Sequence, residues 1–282
     1  MAPSPDFPLP LELLTEIVKL LPTQDQRTLS LASQVTRIYS IPFAFRNLRY
    51  TEQVVSKILK IHQASQGVKD VIRFVSTLSS QRTLLKRNAI NKEAVIFEFL
   101  KSLPNLQSFE FTQIYPLIRP AHIPQLINSL QHAPLNELVL ATGNYAPVDG
   151  PPTTGPPGLT KISIKWNIND NPDEVGSSLA YLYELIRPSL STLVQLSVNY
   201  SPDPETHRDH FDLKFLEPAR ETLRVLDYAL QPDESVLELI PEILPHLKKL
   251  SIKWLNIPSG QSVLWKVRSQ LKVHSALTSR IL

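Results

Sequence analysis

Leu159-Thr160-Lys161-Ile162-Ser163-Ile164-Lys165-Trp166 and Leu247-Lys248-Lys249-Leu250-Ser251-Ile252-Lys253-Trp254 are nearly the same stretch written twice, 88 residues apart. Each begins with leucine, skips two residues, and then alternates apolar and polar positions. Strict alternation predicts a short strand with one apolar face. Lysine and tryptophan at its end fall on opposite sides of the sheet, because successive side chains point to opposite faces.

The same spacing occurs four more times, as Leu106/Phe109/Phe111, Leu135/Leu138/Leu140, Leu193/Leu196/Val198 and Leu223/Leu226/Tyr228. The six units start 24 to 34 residues apart. Any single match is weak in a chain that is 42% hydrophobic, whereas six leucine-initiated matches in near-regular succession are strong. Helical stretches lie between them, at 174–186 (Val175, Leu179, Leu182, Ile186) and at 235–244, which contains Pro241. A strand and a helix per unit resembles the leucine-rich repeat, whose units cannot bury their apolar faces alone and stack into a solenoid. Eight residues after each first leucine the repeat family carries asparagine. Here that position holds Ile114, Gly143, Asn167, Ser201, Gln231 and Leu255. The array is therefore similar to the degenerate repeats that often follow F-boxes, including fungal ones.

Outward from this array, residues 51–104 read as a bridge. An amphipathic helix is expected from Thr51 (Val54, Val55, Ile58, Leu59, Ile61), a short strand at 71–75, and a helix after Asn91 that ends before Pro104. Arg82, Lys86, Arg87 and Lys92 form a loose basic cluster that reads as a solvated face. Residues 146–158 hold five prolines and three glycines and are expected to form a surface loop. Residues 265–282 read as a basic C-terminal helix capping the last repeat, so 105–282 is expected to be one repeat domain.

At the other end, residues 8–50 predict helices. Leu9, Leu13, Leu14, Ile17, Leu20 and Leu21 recur at helical spacing. Pro10 suits a first helical turn, and Pro22 stops the helix. Thr23 is placed to cap a second helix carrying Leu29, Leu31, Val35 and Ile38, which Pro42 ends or turns. About 42 residues is near the lower limit for an unaided core, so this segment should dock on the rest of the chain or on a partner.

The run Leu9-Pro10-Leu11-Glu12-Leu13-Leu14-Thr15-Glu16-Ile17 resembles the start of an F-box, L-P-x-E-L-L-x-E-I, and Leu29-Ser30-Leu31-Ala32-Ser33 is similar to its L-S-L-V-S. Gln26 and Arg27 stand where the family usually has leucines, and Thr36 where a large aromatic is common. The resemblance implies that Leu9, Pro10, Leu13, Leu14, Ile17, Leu20, Leu21 and Pro22 bind the Skp-type adaptor of a cullin-based SCF ubiquitin ligase. The repeats would then hold a target protein, with Trp166 and Trp254 as candidate anchors, since tryptophan dominates interface hot spots.

Composition narrows the alternatives. With no cysteine, disulfides, thiolate zinc sites, iron–sulfur clusters and cysteine nucleophiles are excluded. The seven glycines form no phosphate-binding loop, and no G-x-S-x-G elbow occurs. His207 and His210, near Asp209 and Asp212, would reach one ion only on a helix, and with Pro202 and Pro204 before them they read as an exposed loop. No catalytic residue, metal or cofactor is expected. The start lacks a signal-peptide pattern and no apolar run is long enough to span a bilayer, so the expectation is an intracellular chain, cytoplasmic or nuclear, without membrane contact.

Charge is uneven: 167–242 holds 15 acids and 5 bases, whereas 243–282 holds seven bases (Lys248, Lys249, Lys253, Lys266, Arg268, Lys272, Arg280) and no acid. The expected architecture is α/β: an F-box-like helical segment followed by an irregular leucine-rich-repeat solenoid. The expected role is substrate receptor of an SCF-type ligase. The alternatives are a repeat scaffold whose helices merely seal the solenoid, and nucleic-acid binding through the basic C-terminal stretch.

Overall fold

A computed structural model describes residues 10–50, 57, 60, 71–80, 92–112, 123–143, 154–167, 180–201, 212–230, 234–254 and 272–275. Three helices come first: α1 (Leu11–Leu20), α2 (Thr23–Ala32) and α3 (Gln34–Ala44). Nine strands follow in one sheet: β1 (Asn47–Tyr50), β2 (Thr77–Ser80), β3 (Ser108–Thr112), β4 (Glu137–Gly143), β5 (Lys161–Asn167), β6 (Gln195–Ser201), β7 (Val225–Leu230), β8 (Lys249–Trp254) and β9 (Lys272–Ser275). Their spatial order is their chain order, and every pairing is parallel. Parallel neighbours need long crossovers. Among the described residues these include α4 (Lys92–Lys101), α5 (Ile123–Leu130), a helix over 180–186 that tightens into a 3-10 turn at Arg187–Ser189, the 3-10 stretch Leu213–Ala219, and α6 (Glu234–Ile243). The protein is thus α/β, with a helical N-terminal segment.

The core lies between the crossovers and one face of the sheet. Phe109, Phe111, Leu138, Leu140, Ile162, Ile164, Leu196, Val198, Leu226, Tyr228 and Leu250 are buried, as is the first leucine of all six units. Opposite them are Phe99 and Leu100 from α4, Leu126 and Ile127 from α5, Leu182 and Leu185 from 180–186, and Leu216. The intervening strand residues stay half-buried or exposed.

A main-chain device fixes each strand's start. One carbonyl accepts two successive N–H groups of the next unit: Arg46 from Ser76 and Thr77, Ser76 from Gln107 and Ser108, Gln107 from Asn136 and Glu137, and Asn136 from Thr160 and Lys161. The series continues through Thr160, Val194 and Arg224, the last accepting from Lys248 and Lys249. Equivalent positions are therefore 46, 76, 107, 136, 160, 194, 224 and 248.

This series corrects several expectations. The sheet begins at Asn47, inside the 8–50 segment, and the bridge contributes β2. Residues 71–72 end a helix and 73–74 turn, so the strand expected at 71–75 lies at Thr77–Ser80. There Val75 and Leu78 are the buried pair. Residues 272–275 form β9 against β8 rather than part of a C-terminal helix. The 146–158 stretch is not wholly superficial: Gly155 and Pro156 are buried. Gly155 N–H donates to the Glu184 carbonyl, and Ser189 Oγ donates to that of Pro156 at 2.9 Å. The expected helices after Thr51 and at 174–179, and the basic cluster at 82–87, lie largely outside the described residues.

Candidate interaction surfaces

The N-terminal helices pack on one another, α2 and α1 against α3. Pro10 precedes the first turn of α1, Glu12 sits near its positive end and Lys19 near its negative end, which favours the helix dipole. Leu14 and Val18, four apart, form its buried stripe. The single second helix expected after Pro22 is two helices, because Ser33 caps α3. Ser33 Oγ accepts from Thr36 N–H, and Thr36 Oγ1 accepts from Ser33 N–H. Pro42 neither ends nor turns the chain but lies inside α3. Its missing amide is one lost bond in the last turn, before Ala44.

Two of the three residues that depart from the F-box pattern, Gln26 and Thr36, lie in the interior of this trio, while Arg27 is exposed. Gln26 is 6% exposed, and its Nε2 donates to the carbonyls of Val18 (2.9 Å), which also accepts from Leu21 N–H, and Leu21 (3.0 Å), at the end of α1. Arg27 lies over the Phe45 ring. Thr36 is buried, with Ser30 and Ser40. The interior is therefore unusually polar: four polar side chains are buried beside Leu14, Val18 and Ala44.

The apolar residues lie outside. Of eight large hydrophobic side chains that are exposed among the described residues, six belong to this trio: Leu11, Leu13 (52%), Ile17 (43%), Leu20 (86%), Leu31 (84%) and Ile38 (62%). Leu13, Ile17 and Leu20, spaced i, i+4, i+7, make a second stripe on α1. Of the predicted adaptor contacts, Leu13, Ile17, Leu20, Pro10 and Pro22 are exposed, Leu21 is half-buried, and Leu14 is spent on the trio's own packing. Leu9 lies outside the described residues. Leu31 and Ile38 join the surface unforeseen, since the sequence pattern assigns them to the inner side of a helix. None of Leu14, Val18 or Ala44 belongs to the core of the sheet.

The second surface is the open face of the sheet. Its described positions are mostly polar, including Arg49, Ser79, Glu110, Ser163, Lys165, Ser197, Asp227, Lys249 and Ser251. Lys161 pairs with Glu137 across β4 and β5. Trp166 and Trp254 occupy late positions of β5 and β8, opposite Tyr200 and Leu230 in the ladder; their side chains fall outside what is described. The two are not shown to converge on one site. His207, Asp209 and His210 are also outside the described residues, and Asp212 caps the 3-10 stretch by accepting from Lys214 N–H. Among the described residues no cluster of metal-ligating side chains occurs, and no helix is long and apolar enough to cross a membrane. An open dent of about 420 Å³ lies on the crossover side, lined by Arg187, Leu190, Lys214, Phe215, Glu217 and Pro218. Arg187 is already engaged there by Glu184 and the Phe215 ring.

No protein-family model matches the chain, and a search of curated proteins finds no match.

Proposed function

We propose that this chain is an F-box-type substrate receptor, with α1–α3 docking a Skp-type adaptor and an irregular leucine-rich-repeat solenoid holding a target protein. The observation that carries this reading is the inverted packing of the trio. Polar groups lie inside, while Leu11, Leu13, Ile17, Leu20, Leu31 and Ile38 stand in solvent. Leu13, Ile17 and Leu20 form one stripe along α1, and an exposed apolar stripe of this kind marks an interaction site. Full burial of a leucine-sized side chain is worth about 1.5–3 kcal/mol. Six such groups together are commensurate with an association cost of about 4–15 kcal/mol, so losing two decides binding. The solenoid reading is supported by sequential parallel strands and by the recurring carbonyl anchors. The chain supplies proximity rather than a nucleophile, and acts inside the cell, where the ligase is.

The scaffold alternative needs Leu13, Leu14 and Ile17 covered by the repeats. Leu13 and Ile17 are half-exposed, and Leu14 is covered by its own trio, which favours the receptor. The test is co-purification with a Skp-type adaptor, comparing wild type with Leu13→Asp/Ile17→Asp. A stoichiometric complex lost in a variant of unchanged circular dichroism supports the reading. A folded wild-type chain that captures no adaptor sinks it.

A further inference from the structure

Part of the basic C-terminal stretch belongs to the sheet: Lys248, Lys249 and Lys253 sit at and within β8, and Lys272 begins β9. The strand register sorts the lysines of the sheet into two kinds. Lys161 has Glu137 and Gln195 as ladder neighbours, and its charge is met by Glu137. Lys165 has Ala141 and Asn199, so no acid flanks it. Lys249 has Val225 on one side and Lys272 on the other. Like charges directly opposite one another in a ladder are destabilising. Lys165 and Lys249 are exposed, and neither has an acidic partner among the described residues. Lys253 stands opposite Ala229 in the ladder.

The geometry points to the β5–β9 half of the open face as a docking surface for an acidic peptide segment of a target protein. This rests on the receptor reading for the word target, but its chemistry stands on the sheet alone. Charge complementarity commits the occupant: Lys165 on β5 and Lys249 on β8 are exposed cations without an acidic partner among the described residues, the ladder sets Lys272 opposite Lys249, and Val225 is the one apolar residue among the described open-face positions between them. Ser163, Ser197 and Ser251 leave a low polar floor on which an extended chain can lie. Lys165 and Lys249 belong to strands three ladder steps apart and stand four residues apart in register, which places them about 20 Å from one another at the usual spacings. An extended peptide rises about 3.3 Å per residue, so its carboxylates should be about six residues apart. A nucleic-acid strand fits less well. Its continuous phosphates would run over Asp227, which lies between the lysine rows on β7 and accepts from Ser197. A peptide can leave that position uncharged or basic.

The test is fluorescence anisotropy of the full-length chain at low and moderate salt. The probes are a labelled Glu/Ser peptide with glutamates about six residues apart, its Glu→Gln counterpart, and a single-stranded oligonucleotide. The acidic peptide should bind, the Gln peptide should not, and added salt should weaken the complex. Lys165→Glu/Lys249→Glu should weaken binding about tenfold or more, the sum of two modest exposed charge contacts reversed in sign. Lys101→Glu, on α4, should leave binding unchanged. Should the double reversal perturb circular dichroism, Lys165→Gln/Lys249→Gln gives the same test with a smaller loss. Equal binding of the acidic and Gln peptides, equal binding by the double variant, or tighter binding of the oligonucleotide overturns the proposal. Adaptor co-purification should be unaffected by the lysine changes, so failure of the receptor reading and failure of this one remain separate results.

Discussion

Gln26 Nε2 donates to the Val18 carbonyl at 2.9 Å from a position almost sealed from solvent. An amide thus pins α2 to the last turn of α1, where the related pattern has a leucine. Truncation to Gln26→Ala strips a partner from two carbonyls and leaves a void. A buried polar group without a partner costs about 1–3 kcal/mol. Loss of amide-exchange protection across α1 is the expected readout. Gln26→Leu should cost less than Gln26→Ala, because it refills the space, although it leaves the Leu21 carbonyl without the amide and that of Val18 with Leu21 N–H alone.

Two glycines three residues apart give a graded test of the segment after β4. A methyl group added at Gly155 meets the Leu185 carbonyl oxygen at 2.0 Å, so Gly155→Ala must displace the segment from the helix over 180–186. Overpacking of this kind costs about 1–3 kcal/mol. At Gly158 there is open space, but φ is +79°, a left-handed conformation that costs a non-glycine residue about 1–2 kcal/mol. Thermal melts should show both variants destabilised, and only Gly155→Ala should loosen amide exchange in 180–189.

Ser189 is a hidden joint between the same elements. Its Oγ accepts from Leu159 N–H at 3.0 Å and donates to the Pro156 carbonyl at 2.9 Å. Ser189→Ala orphans both groups where water does not reach. We expect a stability loss of about 1–3 kcal/mol by urea titration, despite the removal of a single oxygen.

If α1–α3 dock an adaptor, their polar interior makes the trio a weakly self-sufficient unit. Amide exchange in residues 11–44 should be faster than in β5–β7 for the isolated chain, and should slow on adaptor addition while the sheet is unchanged. Unaltered exchange in 11–44 in a saturated complex would count against docking through these helices.

The repeating part was legible where the units began with leucine. All six such leucines are buried, because spacing and alternation are direct shadows of the core. Two earlier units were hidden, since they start from Phe45 and Val75 rather than leucine, and the second places Ser80 where a third apolar residue is sought. Their identity lies in main-chain bonds from Arg46 and Ser76, which no side-chain pattern reports. The same holds for β9, whose basic, mixed composition reads as helix until β8 supplies a partner. On α1, periodicity picked out Leu13, Leu14, Ile17 and Leu20 but passed over Val18, half of the buried stripe, and could not say which side faced inward. That choice was made by Gln26, Ser30, Thr36 and Ser40, polar residues that composition assigns to the surface. The break at Ser33 was hidden because a threonine, rather than glutamate, completes its capping box.

The doubly accepting carbonyl at the foot of each strand from β1 to β7 takes the amide protons of the next unit, whatever side chains that unit carries. Steps of 24, 29, 30, 31 and 34 residues all return to the same hitch. Slack between hitches is therefore free to lengthen or shorten without shifting the strands. Such a chain behaves as a modular rack, in which a crossover can be exchanged whole, or a new shelf spliced in, while every other shelf keeps its height.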